Sequence, residues 1–108
     1  MKRLKFSEPL PKLILDGEKI YTWRINDEKN ITVGDKLSLC YNDGREFAKA
    51  EVIAVKETTF ADLTDEDKEG HEEFSSDEEM YTTYSEYYKM KVTPKTRLKV
   101  IKFKKIIQ

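Results

Sequence analysis

Residues 36–57 carry the pattern that most limits what this chain can fold into. Lys36 to Tyr41 alternates polar and apolar side chains, which sets Leu37, Leu39 and Tyr41 on one face of a strand. Asn42-Asp43-Gly44 follows, a run that tolerates positive φ and predicts a hairpin turn. The return strand is expected from about Glu46 to Glu57, with Ala48, Ala50, Val52 and Ala54 as one small apolar face. A two-residue period around a tight turn implies antiparallel sheet, and the rest of the chain must extend and cover it.

The flanking segments supply both. Residues 3–6 read as a short strand, broken by Pro9 and Pro11. Leu10, Leu13 and Ile14 recur at helical spacing, and Gly17 is placed to stop that helix. A strand rich in aromatic and β-branched residues is expected from about Lys19 to Ile25. Residues 26–30 read as a loop, and Gly34-Asp35 as a turn. Thr64 before Asp65-Glu66-Asp67 is a helix start, with acids near the positive end of the dipole. Ser75-Ser76-Asp77-Glu78-Glu79 holds two overlapping capping-box registers. Met80, Tyr84 and Tyr88 then form a stripe at i, i+4, i+8, expected to pack on a sheet, with a base-stacking platform as the second reading. Pro94 precedes a last strand, about Thr96 to Ile106. There Leu98 and Val100 share one parity and Ile101 and Phe103 the other, which implies a bulge or burial on both faces. The expected architecture is α+β: one domain over residues 1–108, with a mainly antiparallel, barrel-like sheet and flanking short helices.

Composition narrows the chemistry. Hydrophobic and charged residues each make up 38% of the 108 residues, and the ordered apolar patterning argues against disorder. No apolar run approaches the roughly 20 residues that span a bilayer, and no signal-peptide core follows the basic start. Cys40 is the only cysteine, so no internal disulfide forms; a reducing, cytoplasmic setting is expected. Cys40 itself reads as a small core residue. The four glycines are scattered and form no phosphate-binding loop. One cysteine and one histidine cannot build a Cys/His zinc site, and His71, Glu72 and Glu73 read as solvated neighbours. Neither a metal nor a cofactor is expected.

The net charge of −1 hides a segregation. Residues 65–79 hold nine acids and one lysine, while residues 87–108 hold eight lysines or arginines and no acid. This places a basic face beside an acidic one, or marks two ordinary solvated surfaces.

Residues 17–24, GEKIYTWR, are the most informative stretch. They set two cations, a hydroxyl and two large aromatics close together. A desolvated lysine can act as a base toward a hydroxyl, and an arginine can hold an oxyanion or a phosphate. Strand alternation puts Thr22 and Arg24 on one face and Lys19, Tyr21 and Trp23 on the other. Lys19 must curl around the strand end to meet Thr22.

The pattern G-x-K-x-x-T-x-R, at Gly17, Lys19, Thr22 and Arg24 after a helix, resembles the signature of the ASCH domain, a PUA-like fold. Val33-Gly34-Asp35, Leu63-Thr64 before an acidic helix, and Val100-Ile101-Lys102-Phe103 fit the same pattern in order. The resemblance implies a PUA-like barrel with a cleft beside the signature strand. It also implies RNA or nucleotide binding, with Arg24, Tyr21 and Trp23 as ligand contacts. Small bacterial members include amidohydrolases that remove acyl groups from N4-acylated cytidine using a Lys, a Thr and a Glu. Lys19 and Thr22 match that site, and Glu72 is the best match for the acid, with Glu69 and Glu73 as alternatives. A protein-interaction or regulatory domain without ligand chemistry is the third reading, supported by the charge segregation. No membrane partner is expected.

Overall fold

A computed structural model describes residues 1–8, 10–17, 20–25, 29–68 and 74–106. The hairpin forms as its pattern demands. Strands β3 (Lys36–Tyr41) and β4 (Glu46–Thr59) pair antiparallel, with Leu37 opposite Ala50 and Leu39 opposite Ala48. Gly44 takes φ +93° at the turn, where an L side chain is strained.

Strand β4 is longer than expected and its apolar face changes parity. Val52 pairs with Phe103, but Ala54 pairs with Lys102, so Ile53 is an extra, bulged residue. The small face therefore ends at Val52. Ala54 turns outward, and Val55 takes its place against the core.

The remaining strands are β1 (Lys2–Phe6), β2 (Tyr21–Arg24) and β5 (Arg97–Lys105). The sheet order is β1-β3-β4-β5-β2. β1 pairs with β3 in parallel, and the other pairs are antiparallel. The sheet is thus a mixed, curled half-barrel, with β1 and β2 as its two edges. Helix α1 (Leu10–Leu15) connects them and ends before Gly17, at φ +78°.

Both parities of β5 are buried because each face of the curl has its own cover. Ile101 and Phe103 join Leu4, Leu37, Leu39 and Val52 in one apolar cluster. Leu98 and Val100 join Trp23, Phe60, Met80 and Tyr84 in the other. That second cluster is covered by α3 (Asp77–Tyr88), whose Met80–Tyr84–Tyr88 stripe packs on the sheet. Of the two capping registers, Ser76 is the one that caps: its hydroxyl accepts from the Glu79 N–H at 3.1 Å. A single-turn helix, α2 (Asp65–Lys68), precedes it. Among the described residues no helix is long and apolar enough to cross a membrane.

Candidate functional site

The two edge strands flank a cleft of about 260 Å³. β1 and the residue after it contribute Lys5, Phe6 and Ser7, and α1 adds Leu10. β2 contributes Thr22, Trp23 and Arg24. Tyr84, Tyr87 and Tyr88 of α3 form the third wall. Sequence reasoning pointed to β2 and gave the Tyr84–Tyr88 stripe of α3 a stacking platform as its second reading, but it missed the β1 wall and the meeting of all three.

β2 is buried on both sides. Thr22 lies opposite Ile101 and Trp23 opposite Val100, so they share faces with the first and second clusters respectively. Arg24, at the strand end, is half-buried. Its guanidinium carbon lies 5.7 Å from the Phe6 ring centroid, within cation–π reach across the seam. Its Nε is buried and has no hydrogen-bond partner. Among the described residues it is the one buried side-chain polar atom left so. An unmade hydrogen bond of this kind costs about 1–3 kcal/mol.

The tyrosines are ordered by one another. Tyr84 and Tyr88 stack with centroids 6.3 Å apart and planes at 12°, and Tyr87 meets Tyr84 edge-on at 5.7 Å. The Tyr88 hydroxyl accepts the Ile25 N–H at 3.3 Å, so its own proton remains to be donated. Tyr87 is 56% exposed at the mouth.

Tyr21 does not line the cleft. Its hydroxyl donates to Glu66 at 2.8 Å, and Lys102 Nζ lies 5.5 Å from its ring centroid. Trp23 donates its indole N–H to the Asp67 carbonyl at 3.0 Å. The acidic segment is therefore docked onto β2 through Glu66 and Asp67. No local signal links these residues to positions 21 and 23. Lys19, Glu69, Glu72 and Glu73 lie outside the described residues.

Asp67 anchors this docking. Its carboxylate accepts from Lys56 Nζ at 2.6 Å and from the Thr64 N–H at 3.0 Å, while its own N–H donates to the Thr64 hydroxyl at 3.2 Å. Burial alone would raise its pKa, but the Lys56 and Thr64 donors outweigh that and hold it below the ordinary 3.8. A lowered folded pKa gives stability that is present above the unfolded value and lost as pH falls below it. Thermal stability is expected to fall as pH drops below about 4, and Asp67→Asn to flatten that slope. Parallel pH profiles by circular dichroism check this; an unchanged slope in the variant would count against the anchoring role.

The basic C-terminal stretch does not form a continuous cationic face. Lys99 and Lys104 lie opposite Glu57 and Glu51 in the β4–β5 register. Lys99 Nζ also donates to the Ile31 carbonyl at 3.0 Å, and Lys105 Nζ to the Leu15 carbonyl at 2.8 Å. Cys40 is buried, with Arg3 Nη2 3.5 Å from its sulfur, a neighbour the sequence did not reveal. No group of three or more His, Cys, Asp or Glu among the described residues could hold a metal ion.

The family model described as the ASCH domain matches residues 2–107. The solved ASCH domain from Lactobacillus crispatus is similar with a TM-score of 0.68 at 15% identity, over 89% of this chain and 69% of that one. A protein from Enterococcus faecalis gives 0.82 at 14% identity, over 98% and 76%. A protein from Pyrococcus furiosus gives 0.64 at 22% identity, over 99% and 98%. Likeness at these identities speaks to fold alone. A search of curated proteins found no match.

Proposed function

We propose, because this chain belongs to the ASCH domain family, that its seam cleft binds RNA or a nucleotide through a single base-bearing unit. The observation that carries this reading is the buried, unpartnered Nε of Arg24 beside a wall of tyrosines. A base brings a flat apolar face for the rings and acceptors for the donors. Volume sets the scale. About 260 Å³ lies just under the roughly 300–1,000 Å³ usual for small-molecule pockets. It suits one nucleotide unit, with any further chain outside.

The distribution of cations sets the expected salt response. Among the described residues Lys5 and Arg24 are the cations of the cleft, which gives one or two phosphate contacts. For single strands the salt slope is then shallow, and raising salt from about 50 to about 200 mM should weaken binding about 3- to 7-fold. Titration of short oligoribonucleotides and nucleotides at both concentrations tests the reading. Absence of affinity at low salt ends it, and a much steeper slope points to an extended basic surface elsewhere.

The second reading is the amidohydrolase, favoured by Thr22 lining the same cleft as Arg24. Lys19 would be its base, Thr22 its nucleophile, and Glu72 the acid/base or orienting group. Cleavage of N4-acylated cytidine that survives Thr22→Val would remove that role from Thr22.

A further inference from the structure

We infer that the phosphate of the bound nucleotide seats between Lys5 and Arg24, bridging the two edge strands of the sheet. The site therefore selects phosphate-bearing ligands over neutral nucleosides. This rests on the nucleotide reading above and adds to it the charge of the ligand and a mechanical consequence of binding.

The polar groups of the cleft supply the argument. The chain carries 21 acidic residues against 20 lysines and arginines, yet no carboxylate lines this cleft among the described residues. The charged lining groups among the described residues are Lys5 and Arg24, one from each edge strand. The hydroxyls are biased the same way. Ser7 Oγ accepts from Asn42 Nδ2 at 2.8 Å, and the Tyr88 hydroxyl accepts from the Ile25 N–H. Each keeps its own proton to donate. Arg24 Nε–H has no acceptor at all. A described lining rich in donors, with no carboxylate among its residues, matches an acceptor-only anion, and a phosphate oxygen bonds such donors more strongly than a neutral carbonyl does.

Topology gives the consequence. β1 and β2 stand at opposite ends of the order β1-β3-β4-β5-β2, so the hydrogen-bonded ladder joins them only through three intervening strands. An anion held by Lys5 and Arg24 together ties one edge to the other. The tie enters through a tighter dissociation constant, so binding should raise the melting temperature more for a nucleotide than for its nucleoside at equal ligand concentration.

The test compares the four ribonucleosides, their 5′-monophosphates, inorganic phosphate and a short oligoribonucleotide. Calorimetry and thermal unfolding are run on the wild type and on Lys5→Gln. Lys5 is exposed, so the variant should fold, and its melting temperature without ligand verifies that. The expected result is a monophosphate bound at least about tenfold tighter than its nucleoside, with inorganic phosphate alone raising the melting temperature. Lys5→Gln should cut that ratio to about threefold or less. Equal binding of nucleoside and monophosphate overturns the phosphate inference but leaves the nucleotide reading standing. No binding by any of them overturns both. A ratio unaffected by Lys5→Gln removes the bridge. Comparing mononucleotide with oligoribonucleotide tells whether a free nucleotide or an RNA phosphate is preferred.

Discussion

Replacing Trp23 with alanine is expected to remove about 3–5 kcal/mol of unfolding free energy. Trp23 is 3% exposed and holds three neighbours in place. Phe60 meets it edge-on at 6.1 Å, and Tyr84 lies tilted against it at 5.6 Å. Its indole N–H bonds the Asp67 carbonyl of the acidic helix. Truncation therefore opens a cavity, releases α2, and loosens the ring that orders the tyrosine wall. Against a typical total of about 5–15 kcal/mol, the loss is a large fraction of all the stability a domain has. Trp23→Phe separates the parts. It keeps most of the ring but strands the Asp67 carbonyl, which costs about 1–3 kcal/mol. Denaturant unfolding followed by far-ultraviolet circular dichroism measures both variants. A loss below about 1 kcal/mol for Trp23→Ala would show that the ring is not the packing centre of the second cluster.

What could be read in advance was whatever has a local cause. The β3–β4 hairpin follows from alternation around Asn42-Asp43-Gly44. Burial on both faces of β5 follows from its parity switch, and the tyrosine stripe packs on the sheet as its spacing requires. The bulge at Ile53 was hidden because the even-numbered alanines and Val52 continue smoothly through it. Register is set there by Phe103 and Ile101 on the partner strand, not by β4 itself. The parallel pairing of β1 with β3 and the open edge at β2 likewise depend on the whole topology. Parity correctly placed Thr22 and Trp23 on different faces, yet both line the cleft, because it reaches around the strand at the sheet edge. The charge runs misled most. Glu51 and Glu57 on β4 lie opposite Lys104 and Lys99, and Asp67 is buried against Lys56 instead of solvated.

Arg24 is where stability and ligand binding are expected to oppose each other. Its Nε sits buried without an acceptor, a free-energy cost that the folded chain carries in the absence of ligand. Arg24→Met keeps an unbranched chain over Phe6 and removes the stranded donor. Its unfolding free energy is expected to be unchanged or to rise by up to about 1–3 kcal/mol. Its affinity for a nucleoside monophosphate is expected to fall about 10- to 150-fold, the equivalent of a charge-assisted hydrogen bond worth about 1.5–3 kcal/mol. A residue retained for packing would show the reverse, with stability lost and binding little changed. Few positions in a small protein trade stability for binding in this way, and those that do tend to mark functional sites.

The most direct measurement is an amide chemical-shift titration of the wild-type protein and Arg24→Met with ribonucleoside 5′-monophosphates. The cleft predicts saturable shifts confined to Lys5–Ser7, Thr22–Ile25 and Tyr84–Tyr88, with the apparent dissociation constant rising at least about tenfold in Arg24→Met. Shifts centred on other parts of the surface, or saturation at the same concentration in both proteins, would contradict the assignment of the seam cleft as the ligand site.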